Sequence, residues 1–237
     1  MEIPFFIKRL RASFSPKYPV YIFHHIPKCG GTSILHLLSN WFYVIRDYRE
    51  GWSMKYPTAV DLSILNSKFC ICGHWEFKGY HLYQRYPEVF DSEKFKIFTF
   101  LREPLEVSLS LFRYEKENNI NVDMGIEEHL SIRKNYIASI FPLTEKNYNE
   151  ILDKYFFVGI LEEGQCCVDL LAEMIGKNKC IIPWQNKTNT NILADKRTLS
   201  KDVIGKFKKE NSLDYLIYDC AYSKFNKLKE SLQTDVN

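Results

Sequence analysis

Between Ile26 and Ser33 the chain reads Ile-Pro-Lys-Cys-Gly-Gly-Thr-Ser. Gly30 and Gly31 let the backbone turn tightly and approach a ligand without a Cβ in the way. If a helix starts there, the amides of Gly31, Thr32 and Ser33 point outward from its N-terminus. Such an end favours phosphate, through the helix dipole and by direct hydrogen bonds. The hydroxyls of Thr32 and Ser33 add donors, and Lys28 adds a mobile positive charge. In the common nucleotide loop G-x-x-x-x-G-K-[ST] the lysine follows the glycines. Here it precedes them, so Lys28 would reach a ligand from the strand side, nearer its leaving-group end.

A second reactive run is Cys70-Ile71-Cys72-Gly73-His74, followed by Trp75 and Glu76. An unperturbed imidazole has a pKa of about 6.5, so His74 can accept a proton at neutral pH. Cys70, Cys72 and His74 alternate, which would put them on one face of a strand, where they could also bind a metal. No paired C-x-x-C with a distant partner pair supports that use. His24 and His25 stand just before the glycines. Strand alternation sends them to opposite faces, so at most one can face a site there.

These residues need a frame. VYIFHHI (20–26), FCICGH (69–74), KIFTFL (96–101) and FFVGIL (156–161) read as short buried strands. TSILHLLSNWF (32–42), EPLEVSLSLFRYEKEN (103–118), EEGQCCVDLLAEMIG (162–176) and the two segments from Leu199 onward read as helices. Residues 46–66 read as a polar excursion with Gly51 and Pro57, and 119–150 as helical pieces broken by Gly125 and Pro142. The first fifteen residues form a basic, amphipathic lead-in. Alternating strands and helices predict an α/β fold with a central, mainly parallel sheet flanked by helices in three layers. Ligands of such sheets sit beyond the carboxyl ends of the strands. Segments 26–33, 72–77 and 101–110 meet there.

His-His-Ile-Pro-Lys-Cys-Gly-Gly-Thr-Ser resembles the 5′-phosphosulfate loop of sulfotransferases that use 3′-phosphoadenosine 5′-phosphosulfate (PAPS). The nearest flavour is the carbohydrate branch that includes heparan sulfate 2-O-sulfotransferases. The resemblance implies a P-loop-like fold and a donor site made by Lys28, Cys29, Gly30, Gly31, Thr32 and Ser33. Lys28 would contact the oxygen bridging phosphate and sulfate. The family commonly has Thr where this chain has Cys29, which removes one hydroxyl and would favour a thiolate there if the thiol is exposed. FTFLREPLEVSLSLFRY (98–114) is similar to the family's 3′-phosphate motif, which assigns Arg102 and Ser110 to that phosphate. A guanidinium grips phosphate bidentately, and Arg113 falls near the same helical face as Ser110. The Gly-His pair between the two motifs implies His74 as catalytic base. Glu76, His25 and His24 are the other candidates.

The expected activity is therefore PAPS-dependent O-sulfotransfer to a hydroxyl, with PAP as product, no metal, and a carbohydrate or glycan as acceptor. A kinase-like phosphotransferase needing Mg²⁺, and a non-catalytic nucleotide- or glycan-binding module, are the alternatives. Residues 1–237 are expected to be one domain, with 1–18 as lead-in and 184–200 as an active-site loop. In that loop Asn186, Lys187, Thr188 and Lys196 are the candidate contacts. Glu162 and Glu163 are read as helix-start carboxylates, and Cys166 and Cys167 as buried thiols.

The chain has 237 residues, a formal charge of +3, and 46% hydrophobic residues. Wholesale disorder is excluded by that balance, and the charge is too small to predict nucleic-acid binding. No apolar run approaches the roughly 20 residues that span a bilayer, so stable membrane insertion is not expected. Seven scattered cysteines, and a loop reached within 28 residues of Met1 without an anchor, predict a compact cytoplasmic protein.

Overall fold

The structure, a computed structural model, describes residues 3–47, 58–141, 143–183 and 195–234. Gly51, Pro57, Pro142, Asn186, Lys187 and Thr188 lie outside them. Helix α1 (Phe5–Ala12) precedes strand β1 (Val20–His24), helix α2 (Gly31–Trp41) and strand β2 (Tyr43–Arg46). Strand β3 (Phe69–Gly73), helix α3 (Leu82–Arg85), strand β4 (Phe95–Leu101) and helix α4 (Pro104–Glu117) follow. Three short helices come next: α5 (Ile126–Ile132), α6 (Tyr136–Ile140) and α7 (Tyr148–Asp153). Strand β5 (Phe157–Ile160) and helices α8 (Gly164–Met174), α9 (Lys201–Glu210) and α10 (Ser212–Thr234) complete the order.

The five strands form one all-parallel sheet in the order β2-β3-β1-β4-β5. β1 and β3 are buried at every position, as expected for central strands covered on both faces. Phe23, Phe98 and Phe100 pack across β1 and β4 with ring centroids 5.3 and 6.4 Å from Phe23. The parallel α/β architecture of the sequence reading is thus present. β2 is an addition to it: Tyr-Val-Ile-Arg follows α2 after a single residue and extends the sheet by one edge strand.

The free edge of β2 is partly closed by α1. Lys8 is buried and its Nζ donates to the carbonyl of Val44 at 3.1 Å, occupying an edge acceptor that another strand could otherwise use. Asn66 Nδ2 donates to Ala12 O at 2.8 Å and holds the other end of that helix. Among the described residues no helix is long and apolar enough to cross a membrane.

The C-terminal helices brace the side of the sheet that carries β5. Asp214 on α10 accepts the backbone N–H groups of Ile137 and Ala138 at 3.0 and 2.8 Å, capping α6 from outside. In return Asn135 Oδ1 accepts from the N–H groups of Leu213 and Asp214 at 3.1 and 3.3 Å. Glu162 is more than a helix-start carboxylate. It accepts the Glu103 N–H at 2.9 Å and the Tyr218 hydroxyl at 3.1 Å, tying the β4–α4 turn to α10.

Candidate active site

Three strand ends converge. β1 runs into the phosphate-type loop, β3 into Gly73-His74, and β4 into Arg102. Their ladder continues one step past β1, where the His25 N–H donates to Gly73 O at 3.0 Å. That bond sets the loop before α2 beside the segment that carries His74.

Lys28 adopts φ +63°, a left-handed conformation that costs an L-residue with a full side chain about 1 kcal/mol or more. The next turn brings Gly30 to φ +75° as the residue before α2, and no side chain caps that helix start among the described residues. Gly31 opens α2 against His25: a Cβ there would stand 1.6 Å from His25 Nε2. No other amino acid fits at Gly31 unless His25 moves. Thr32 is exposed at the helix start and Ser33 is buried.

Arg102 reaches back to this loop, with its NH1 3.5 Å from Lys28 O. It also pairs with Glu106 at 3.2 Å. Burial pushes the Lys28 ammonium below its ordinary value; Glu117 opposes this, and Arg102 and Arg113 add to it. Burial, then Arg102, lower Arg113 in the same way. Arg102 at the end of β4 thus sits close enough to disfavour the charge on both Lys28 and Arg113, and Arg113 on α4 the charge on Lys28. An anion between them would relieve that cost. Ser110 is buried on α4, the helix that also carries Arg113. The Lys28 ammonium lies 4.3 Å from the centre of the Tyr114 ring.

Cys29 does not meet the condition of exposure that a thiolate there would need. It is buried, the Arg102 backbone N–H points at its sulfur, and burial pushes its pKa up to about 12. A contact from Cys29 to a ligand is therefore left to its backbone.

His74 is held by two further residues. Its Nδ1 lies 3.0 Å from Glu76 Oε1, and Glu76 Oε2 accepts the Tyr136 hydroxyl at 3.1 Å. A carboxylate only accepts, so Nδ1 carries the hydrogen, which in the neutral tautomer leaves the lone pair on Nε2. The His25 ring packs on His74 with centroids 3.9 Å apart. Tyr136 comes from α6, sixty residues downstream; no local motif marks it.

Gly73 and Trp75 explain the turn around His74. A Cβ on Gly73 would stand 2.5 Å from the Trp75 ring, which folds back fully buried. Trp75 Nε1 donates to Asp47 Oδ2 at 3.3 Å, and Asp47 holds Arg85 through two contacts of 2.6 and 2.8 Å. This buried pair fastens the end of β2 and α3 to the tryptophan beside the histidine.

His24 takes the opposite face, as strand alternation requires. Its Nδ1 is 2.7 Å from the Tyr155 hydroxyl, and its ring lies among Trp75, Phe141 and Tyr155. Burial, then the neighbouring His81 and His74, push it down to about 3. It is a neutral core imidazole. Among the described residues no group of three or more His, Cys, Asp or Glu side chains is arranged to hold a metal ion. Lys196 pairs with Glu103 at 3.3 Å, beside the N-terminus of α4. None of the seven cysteines forms a disulfide; Cys167 is buried and Cys166 half-buried.

The fold has counterparts of known structure. It is similar to a sulfotransferase from Alicyclobacillus acidocaldarius, with a TM-score of 0.52 and 15% identity over 84% of this chain and 96% of that one. It is also similar to mouse sulfotransferase SULT7A1, solved with PAP, with a TM-score of 0.43 and 12% identity over 86% of this chain and 68% of that one. No protein-family model and no curated protein matches the sequence. The class defined here is the sulfotransferase fold: a P-loop-like, all-parallel α/β sheet flanked by helices.

Proposed function

We propose that this chain is a PAPS-dependent O-sulfotransferase, one domain across residues 1–237, acting on a hydroxyl of a carbohydrate or glycan. The observation that carries the reading is the approach of Arg102, at the end of β4, and of Arg113, on α4, to the Lys28 loop, with His74 just past the adjoining strand. A bisphosphorylated donor fits this place. The left-handed loop and the uncapped start of α2 suit its 5′-phosphosulfate end. Arg102, with Ser110 and Arg113 on α4, suits a second phosphate. Cys29, Gly30, Gly31, Thr32 and Ser33 contribute through amides, and the last two also through hydroxyls.

In the proposed reaction the acceptor oxygen forms a bond to sulfur while the bond from sulfur to the bridging phosphate oxygen breaks. The acceptor proton passes to His74 Nε2, and Glu76 stabilises the imidazolium that results. Lys28 offsets negative charge developing on the bridging oxygen. The absence of disulfides suits a reducing, cytoplasmic setting.

Calorimetric titration with adenosine 3′,5′-bisphosphate in the absence of Mg²⁺ tests the donor site, with ATP as control. Affinity in the micromolar range, and a loss of about tenfold or more in Arg102→Ala, are expected. Binding of ATP that requires Mg²⁺, with none of the bisphosphate, would instead support a phosphotransferase. His74→Ala should keep bisphosphate affinity and lower transfer by about a hundredfold or more.

A further inference from the structure

The N-terminal helix leaves its outer face uncovered. Its inner face is committed: Phe5 meets Phe69 at 6.0 Å, Lys8 bonds Val44 O, and Ala12 is fully buried. On the outside, Ile3, the adjacent pair Phe6 and Ile7, Leu10 and Phe14 recur every three or four residues, the spacing of a single helical stripe. Phe6 is 69% exposed, Leu10 57% and Phe14 fully so. Single exposed apolar residues are ordinary on a protein surface; a run of five along one helix and its following turn is not.

The charge around the stripe says what it fits. Arg9 and Arg11, both exposed, lie in the last turn of α1, and exposed Lys17 follows; residues 3–18 contain no Asp or Glu. Large apolar side chains with flanking arginines match an interface whose interior is apolar and whose border is negative.

We propose that α1 is an in-plane docking element that rests this protein on an anionic lipid surface. Phe6, Leu10 and Phe14 enter the acyl boundary, and Arg9 and Arg11 lie at headgroup level. Lys8 and Asn66 hold the helix to the sheet, so docking fixes the orientation of the whole fold. This proposal stands independently of the sulfotransferase reading, because none of its residues belongs to the candidate active site.

Flotation of the purified full chain tests it. The vesicles are phosphatidylcholine alone, or phosphatidylcholine with about 30% phosphatidylglycerol. Binding to the anionic vesicles is expected, weakening several-fold when salt rises from about 0.1 to about 0.5 M. The paired change Phe6→Gln and Leu10→Gln should lower binding by roughly tenfold or more. Arg9→Gln with Arg11→Gln should abolish the preference for anionic vesicles. Unchanged thermal unfolding would show that both variants remain folded. Flotation with neither vesicle, or undiminished flotation of the Phe6/Leu10 variant, overturns the proposal. So does a dimer in sedimentation velocity that the same variant dissolves without any vesicle binding, because a second copy then covers the stripe.

Discussion

At the scale of single residues, Lys28 is the clearest case of local cost retained in the fold. Glycine would hold φ +63° without strain, yet the chain places there a lysine whose ammonium is also depressed by burial. The strain suits a side chain needed at that spot for its charge. Lys28→Gly should therefore unfold at a higher temperature than Lys28→Ala, by about 1 kcal/mol in stability, while both lose transfer. Equal stabilities in denaturant titration would contradict the strain argument. Lys28, His74 and Arg102 were legible in the sequence because each sits in a short motif beside a glycine or at a strand end. Tyr136 was not: it reaches Glu76 from a helix whose position depends on α10, and nothing in its own neighbourhood signals that contact. The Cys29 thiol was legible as chemistry but not as burial, since its surroundings come from β4.

At the scale of elements, the turns matter more than the helices they join. The buried Asp47–Arg85 pair serves Trp75 as well as itself, and Trp75 in turn shapes the backbone under His74. Asp47→Asn leaves a buried guanidinium without its counter-charge and should cost about 3 kcal/mol. It should also lower transfer more than bisphosphate affinity, because the His74 side of the site loosens while the Lys28 side does not. Melting and calorimetry on the one variant separate the two effects. Four strands were readable from β-branched and aromatic runs bounded by turn residues. β2 escaped because four residues follow α2 with no glycine or proline to announce a change. Its strand character comes from pairing with β3 rather than from its own pattern.

At the scale of the molecule, two buried groups pull stability in opposite directions with pH. His24 is held far below its ordinary 6.5, at about 3, so its contribution is complete above 6.5 and is lost as pH falls towards 3. Burial raises Asp214 from 3.8 to about 6, so its contribution is complete below 3.8 and is lost as pH rises through 6. Between about 4 and 6 the two slopes oppose each other. Asp214→Asn removes one of them. The variant should lose stability more steeply on acidification in that window, by up to about 1.4 kcal/mol per pH unit. Denaturant midpoints at a series of pH values measure it, and an unchanged slope would refute the assignment. The baseline stability of this variant should fall as well, because Asn presents one fewer acceptor to the start of α6.

The burial of Cys29 reaches beyond the loop that contains it. A thiol held near 12 and shut behind the Arg102 backbone offers almost no nucleophile to an electrophile at neutral pH. Alkylating agents and peroxides will meet the half-buried Cys166, Cys180 and Cys220 first. Chemical labelling can thus decorate the outside of this protein while the loop before α2 stays unmarked, which makes those outer thiols natural attachment points for a fluorescent reporter.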